Sequence, residues 1–353
     1  MPFVAGVDCH KDSHSIVFLD GTGKVVRELT ISTTEAGFES AVSAAREIGD
    51  VTWGLEGTGS YGRSFARVLL DAGMAVFEVP GVLTKRHRKS ASHHGKSDRN
   101  DARAIAEAVL RESGRLPQYR ELEEQEALRL RYDQRDRLVR ERTMSINRLR
   151  HGALRLALKV SNQLRSESSL AALGAAFDAI EKPGMVEQAL IDEMRFNLGT
   201  VARLDGQIAR LEKIMAPFVL RLAPEILELQ GVSTIVAAGL IGHAGDLRNL
   251  RDSDAFAMRS ATAPVSWSSG RSEAVRLNTG GNRQLNRLLH IIALIQVRTP
   301  GHLGRAHYER KRSEGKSTRA AMRSLKRRLA TVVYYRLRTC QARIEAQSVL
   351  LAA

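Results

Sequence analysis

Three short apolar runs in close succession, then a regular alternation of strand-like and helix-like segments, constrain this 353-residue chain more than any other feature. Phe3 to Asp8, Ser15 to Leu19 and Val25 to Thr30 are strand-length, and Gly21 to Gly23 is a tight turn between the last two. This spacing predicts a β meander. Thr33 and Thr34 are suitable N-caps for a helix that carries Phe38, Val42 and Ala45 on one face. Val51 to Leu55 reads as a fourth strand, and about Gly62 to Ala72 as a helix. Ala75 to Val79 reads as a fifth strand closed by Pro80 and Gly81. A basic loop then precedes a helix from about Asp98 to Leu110. The order is βββαβαβα, so residues 1–112 are expected to form an α/β domain.

The middle of the chain changes character. From about Glu121 to Val160 it is charged, helical and nearly free of breakers. Tyr132, Val139, Ile146 and Ala153 recur every seven residues beside Leu128, Leu149 and Leu156, with Arg135 and Arg142 interrupting the second set. Beyond Pro183-Gly184, a second run carries Met194, Val201, Ile208 and Met215 beside Leu190, Leu204 and Leu211. Two such helices suit an antiparallel pair, an oligomeric coiled coil, or a bundle buried within one chain. Residues 113–218 are therefore expected to form a helical, coiled-coil-like middle region. Residues 219–353 are expected to form a C-terminal all-α domain. There, Gly231-Val232-Ser233 resembles the turn of a helix-hairpin-helix element, whose helix N-terminus can hold phosphate.

Charge narrows the function. The formal net charge is +15, and from Gly301 to Ala353 thirteen Lys and Arg stand against three acids, so two thirds of the excess lies in the last seventh. Such asymmetry points to a polyanion. Arg319, Arg323, Lys326 and Arg327 fall at helical spacings of three and four, and no acid lies between Lys316 and Arg328. With Arg310, Lys311, Arg312 and Lys316 they make a candidate phosphate-binding surface for DNA or RNA. Cys9 and Cys340 are too few for a disulfide framework or a zinc site. The chain starts without a signal-peptide pattern, and no apolar run approaches the roughly 20 residues needed to span a bilayer. A soluble, cytoplasmic setting without membrane contact is expected.

Four carboxylates carry the chemistry. Asp8 ends the first strand, Glu56 follows the fourth in GLEGTGSYG, and Asp98 and Asp101 lie three apart on one helix face. Each has an ordinary explanation: Asp8 as a turn residue, Asp98 as an N-cap, Asp101 as a partner of Arg99 or Arg103. Together, at strand ends that a parallel pair brings to one edge, they form a cluster that needs a cation. Mg²⁺ takes few carboxylates plus waters and phosphate oxygens, and two such ions can stabilise both oxygens of a phosphodiester exchange.

The strand and helix order is that of the ribonuclease H-like fold. The blocks GVDCHKDSH, GLEGTGSYG and KSDRNDARAIA resemble the RuvC-like, DEDD-type domain of transposases of insertion-sequence family one-hundred-ten, over about residues 3 to 110. The resemblance implies that Asp8, Glu56, Asp98 and Asp101 hold Mg²⁺. Downstream, FAMRSATAPVSWSSG is similar to the family's second region, where a Gly-Leu-x-Pro turn precedes a Ser-Gly pair. Pro264 and Ser269-Gly270 match, while Ala261 and Thr262 replace the Gly and Leu. Gly281-Asn282 fits the following Gly-Asn block, with Thr279 where a lysine is usual. The resemblance implies that Ser269 attacks a DNA phosphate, with Arg271 a candidate to stabilise the charge and Ser266, Ser268 and Ser272 its rivals. It also implies a homo-oligomer, dimer or tetramer, and a non-coding guide RNA. The alternatives are a RuvC-like nuclease or Holliday-junction resolvase that uses water, and a non-catalytic nucleic-acid-binding protein.

Overall fold

The structure is a computed structural model that describes residues 3–90, 97–160, 164–269, 272–278 and 280–352. The chain forms two compact units, Met1–Glu121 and Leu122–Ala353.

The first unit holds β1 (Phe3–Cys9), β2 (Ser13–Leu19), β3 (Val25–Ser32), α1 (Glu35–Ile48), β4 (Val51–Leu55), α2 (Arg63–Asp71), β5 (Val76–Glu78), α3 (Gly81–Ser90) and α4 (Asp98–Glu112). The sheet order is β3-β2-β1-β4-β5. The meander β1-β2-β3 is antiparallel, whereas β4 runs parallel to β1 and β5 parallel to β4. Alternate residues of the central strands bury on opposite faces, as the two-residue period of a strand requires. Ala5, Val7, Ile16, Phe18, Trp53 and Leu55 meet α1 and α2. Val4, Val17 and Leu19 meet α4 through Ala102, Ile105, Ala106 and Val109.

Two glycines set how closely α4 lies on the sheet. Gly6 and Gly54 face each other across β1 and β4. A Cβ on Gly6 would stand 2.1 Å from the Ala102 carbonyl oxygen, and one on Gly54 would stand 2.3 Å from Val109 Cγ2. The helix therefore rests on backbone at this point, and its first turn is carried to the end of β1.

One local expectation is corrected. The basic stretch after Pro80 is the helix α3, not a loop. Its Leu83 packs into the core under α4, and its Thr84 and His87 are buried. These tertiary contacts stabilise a stretch whose charge pattern alone has little apolar face.

The second unit contains α5 (Glu123–Arg155), α6 (Glu167–Asp178), α7 (Met185–Leu222), α8 (Thr234–Ala244), α9 (Ser253–Arg259), β6 (Pro264–Ser269), β7 (Ser272–Leu277), α10 (Arg283–Arg298), α11 (Leu303–Ser313) and α12 (Thr318–Ala352). α5 and α7 run antiparallel in the same chain. Glu124 pairs with Arg221, Arg135 with Glu212 and Arg142 with Asp205. The heptad residues Tyr132, Ile146, Ala153, Met194, Val201 and Met215 are buried. The larger core gathers α8, α10 and α12 around Phe256, Leu285, Leu289 and Val333.

Two further expectations for this region are corrected. It is not all helical, because Pro264 to Leu277 forms a two-stranded antiparallel hairpin. Alternating Val265, Trp267 and Val275 suit strands, and the polar composition concealed that period. The stretch before Gly231 is only a short 3-10 helix, Pro224–Glu228, so no pair of full helices flanks the turn. Among the described residues, no helix is long and apolar enough to cross a membrane.

Candidate active site

Asp8 lies near the end of β1, and Glu56 directly follows β4, which pairs with β1 in parallel. Both carboxylates therefore leave the sheet at one edge. Asp98 and Asp101 occupy the first turn of α4, where the helix dipole favours negative charge. The N-cap is Ser97, whose hydroxyl accepts from the Asn100 amide at 3.3 Å, so Asp98 is left available. Close packing at Gly6 brings that turn to Asp8.

The residue that joins the cluster is His10. Its Nε2 stands 3.1 Å from Asp8 Oδ2 and 3.3 Å from Asp98 Oδ1. Asp8, His10 and Asp98 each offer one ligand atom, all within 4.8 Å of one another. The Asp8 side chain is only 14% exposed. Burial raises its pKa, His10 opposes this, and Asp101 and Asp98 add to it. A half-buried carboxylate among like charges gains from a cation.

Glu56 and Asp101 are held differently. Thr84 donates its hydroxyl to Glu56 Oε2 at 2.8 Å. Gly81 leaves room for that carboxylate, since a Cβ there would stand 2.6 Å from Oε1. Arg88 grips both oxygens of Asp101, at 2.6 and 3.0 Å. Arg99 and Arg103, the partners considered from sequence for Asp101, pair instead with Glu28 and Glu107. Asp8 and Asp98 thus come together around His10, while Glu56 and Asp101 stand nearby, each with a neutral or cationic partner. Cys9 follows Asp8 and is half-buried. Burial, then the negative Asp8 and Glu56, push its thiol up to about 12.

The donor set fits a hard divalent cation. Asp8 and Asp98 offer carboxylate oxygens, and the cluster is short of positive charge. Asp101 could join it only by sharing its carboxylate with Arg88.

In the second unit, the hairpin places Ser269 as the last residue of β6, paired with Ser272 of β7. Ser266 pairs with Val275 and Ser268 with Glu273. The hydroxyls of these four serines, and the residues Gly270, Arg271 and Thr279, lie outside the described residues. The turn before Pro264 is well defined. Ala261 adopts φ +54°, the left-handed region that favours glycine, at the position where the family pattern has Gly. Gly281 packs on that turn, because a Cβ there would stand 2.5 Å from the Ala261 nitrogen. Asn282 then caps α10, accepting from the Gln284 and Leu285 amides. The Gly-Asn block is therefore the seat on which the hairpin's base rests.

The basic residues do not all share one surface. Lys316, Arg323, Lys326 and Arg327 line a cleft of about 870 Å³. Arg319 is exposed near the start of α12. Arg310 and Lys311 lie on α11 and pair with Glu314, and Arg312 donates to the Lys316 carbonyl at 2.6 Å. The cleft also takes Arg283, Arg287 and His290 from α10, which sequence reasoning passed over. Their spacing of four and then three residues was the available signal. His10 was likewise passed over, two residues beyond Asp8 in the same motif.

Comparison with known proteins now places the chain among transposases. A family model described as a transposase of the DEDD type matches residues 5–157, and a second, described as the transposase IS116/IS110/IS902 family, matches residues 223–309. The chain belongs to this insertion-sequence transposase family. An uncharacterized 44.8 kDa protein of insertion element IS116 from Streptomyces clavuligerus is 26% identical over 94% of each chain. A 42 kDa protein of insertion element IS900 from Mycobacterium paratuberculosis is 26% identical over 96% of each. The transposase for insertion sequence element IS1111A of Coxiella burnetii is 26% identical over 81% of this chain and 75% of its own. A solved structure of T. thermophilus RuvC with a Holliday junction substrate matches 34% of this chain and all of its own. Its identity of 13% and TM-score of 0.28 are too slight to bear on the site.

Proposed function

We propose that this transposase cuts and rejoins DNA strands through a magnesium-dependent site at Asp8, Glu56, Asp98 and Asp101 and a covalent bond to Ser269. The observation that carries the reading is the half-buried Asp8 carboxylate standing with Asp98 around His10. The first unit is read as ribonuclease H-like, because a three-strand antiparallel meander continues into two parallel strands in the order β3-β2-β1-β4-β5. The division into residues 1–112, 113–218 and 219–353 remains our working assignment of catalytic, helical and serine-bearing regions.

Bound Mg²⁺ would supply Lewis-acid stabilisation of the phosphate oxygens. Asp8 and Asp98 would hold it, with Asp101 and Glu56 completing the set. His10 steadies the two carboxylates, and Thr84 and Arg88 orient the other two. In the chemical step, the Ser269 Oγ–P bond forms as a P–O bond to deoxyribose breaks. The serine proton ends on the departing sugar oxygen. Reversal with another DNA hydroxyl rejoins strands without ATP, since the phosphoester is conserved. A guide RNA and a dimeric or tetrameric assembly belong to the same proposal, by family resemblance.

The test separates this from a water-using nuclease or resolvase. End-labelled element DNA, with any RNA it requires, is incubated with enzyme, denatured and digested with protease. A labelled peptide containing Ser269, absent in Ser269→Ala and present in Ser266→Ala and Ser272→Ala, is expected. Wild-type cleavage by Ser269→Ala would point to the nuclease. A peptide mapping to Ser268 would move the nucleophile by one residue.

A further inference from the structure

Among the described residues, the lining of the cleft between α10 and α12 carries several cations and no acid. Arg287 and Arg327 are neutralised by Asp136 and Asp254. Arg283, Lys316, Arg323 and Lys326 have no carboxylate within ion-pair reach among the described residues. Lys326 is half-buried, and its ammonium donates to Asn286 Oδ1 at 2.8 Å. Burial first, then the charges of Arg323 and Arg283, lower its pKa. Like charges held together in this way destabilise the empty fold and favour a polyanion.

We propose that this cleft binds an unpaired nucleic-acid strand by its phosphates. The inference rests on the nucleic-acid-processing role above and names a binding subsite within it. Three observations carry it. The cleft's 870 Å³ suits a molecule of nucleotide dimensions, pockets of about 300–1,000 Å³ being usual for small ligands. Cations come from both walls, Arg283 from α10 and Arg323 and Lys326 from α12, so a single backbone lying between them meets charge on both sides. The amides that could read base edges are already committed. Asn286 donates to the Ser260 and Ala261 carbonyls and accepts from Lys326. Asn278 donates to the Met258 carbonyl and accepts from the Gly280 amide. That leaves Arg283, Lys316, Arg323 and Lys326 as the cations that meet the strand's phosphates.

The cleft is also separate from the attacked phosphate. Pro264 lines it and Ser269 ends the same strand, about 17 Å further at strand rise. The cleft therefore grips a strand away from the reaction and positions it.

Fluorescence anisotropy on the full-length protein in EDTA tests this, using labelled ten-residue oligo-dT, oligo-U and a DNA hairpin duplex. Arg283 and Arg323 are both exposed, so Arg283→Gln/Arg323→Gln is expected to fold. That variant should lose about tenfold in single-strand affinity, with the log–log salt slope falling by about 1.4. Its duplex affinity should stay within about twofold. Arg203→Gln/Arg210→Gln, exposed on α7 and outside the cleft, should leave single-strand affinity unchanged. Selective loss on oligo-dT identifies DNA as the occupant, and selective loss on oligo-U identifies RNA. An equal loss on duplex and single strands, or an unchanged slope, overturns the proposal. Binding is measured without metal, so its outcome is independent of cleavage. An enzyme that cuts DNA yet binds strands indifferently to the cleft loses only this inference. One that binds through the cleft and never cuts loses only the strand-transfer reading.

Discussion

At Asp8 the folded protein holds a carboxylate in a place that suits it poorly without a cation. Burial, Asp101 and Asp98 raise its pKa against the pull of His10. The folded chain then binds that proton more tightly than the unfolded chain. The favourable contribution is full below the ordinary carboxylate value and is lost as pH rises through the raised one. Asp8→Asn should therefore melt higher than the wild type in metal-free buffer at neutral pH. Added Mg²⁺ should narrow the difference by stabilising only the wild type, while the variant loses cleavage but keeps its DNA affinity. A variant that still cuts in saturating magnesium would remove Asp8 from the site. Ala261 bears on the same question of local cost. An L-residue in the left-handed region costs about 1 kcal/mol, so Ala261→Gly should raise unfolding free energy by about that amount in urea titration. An unchanged or lower value would show that the Ala261 methyl contributes more by packing than its backbone costs.

Between elements, the contact of α4 with β1 sets the spacing of the acids. Gly6 has no room for a methyl against the Ala102 carbonyl and the Ala106 amide. Gly6→Ala should push α4 off the sheet and cost about 2–3 kcal/mol, as overpacking does. It should also weaken the magnesium-dependent rise in melting temperature, although all four acids remain. A Gly6→Ala protein with the full magnesium response would show that helix position does not govern the site. α3 acts on the same cluster from the other side, through Thr84 on Glu56 and Arg88 on Asp101. Arg88→Gln removes the cation paired with the Asp101 carboxylate. The magnesium concentration for half-maximal thermal stabilisation should then fall several-fold. A rise would mean that Arg88 orients Asp101 more than it competes for it.

Each of the two units also carries a buried histidine that folding keeps neutral. His14 is fully buried, with Phe38 and Phe65 against its ring, and His243 is buried beside Asp133 and Tyr132. Burial lowers both pKa values. The unfolded chain therefore takes up protons first. Stability is full above the ordinary histidine value and declines as pH falls through the lowered one. Hydrogen exchange from pH 7.5 to 5 should show both units opening more readily in acid. His14→Leu should flatten the profile of the first unit only. Parallel profiles for variant and wild type would assign the acid response to other groups.

The order of strands along the chain, the placing of Asp98 and Asp101 in one helix turn and the basic C-terminal stretch were legible in the sequence, because each is a local pattern. Two-residue alternation marks a strand, three-residue spacing puts Asp98 and Asp101 on one helix face, and a run of cations needs no fold to be seen. The role of His10 was not legible, since it depends on how far α4 is carried over Gly6. Nor was the helical state of α3, whose stability comes from burying Leu83, Thr84 and His87 against neighbours distant in sequence. The hairpin from Pro264 was hidden for another reason, since the apolar alternation of Val265, Trp267 and Val275 is sparse among polar residues. The cleft joins Arg283 of α10 to Arg323 and Lys326 of α12, some forty residues apart. Local sequence determines which charges each helix bears, and only the packing of one helix on another decides which of those charges must share a space.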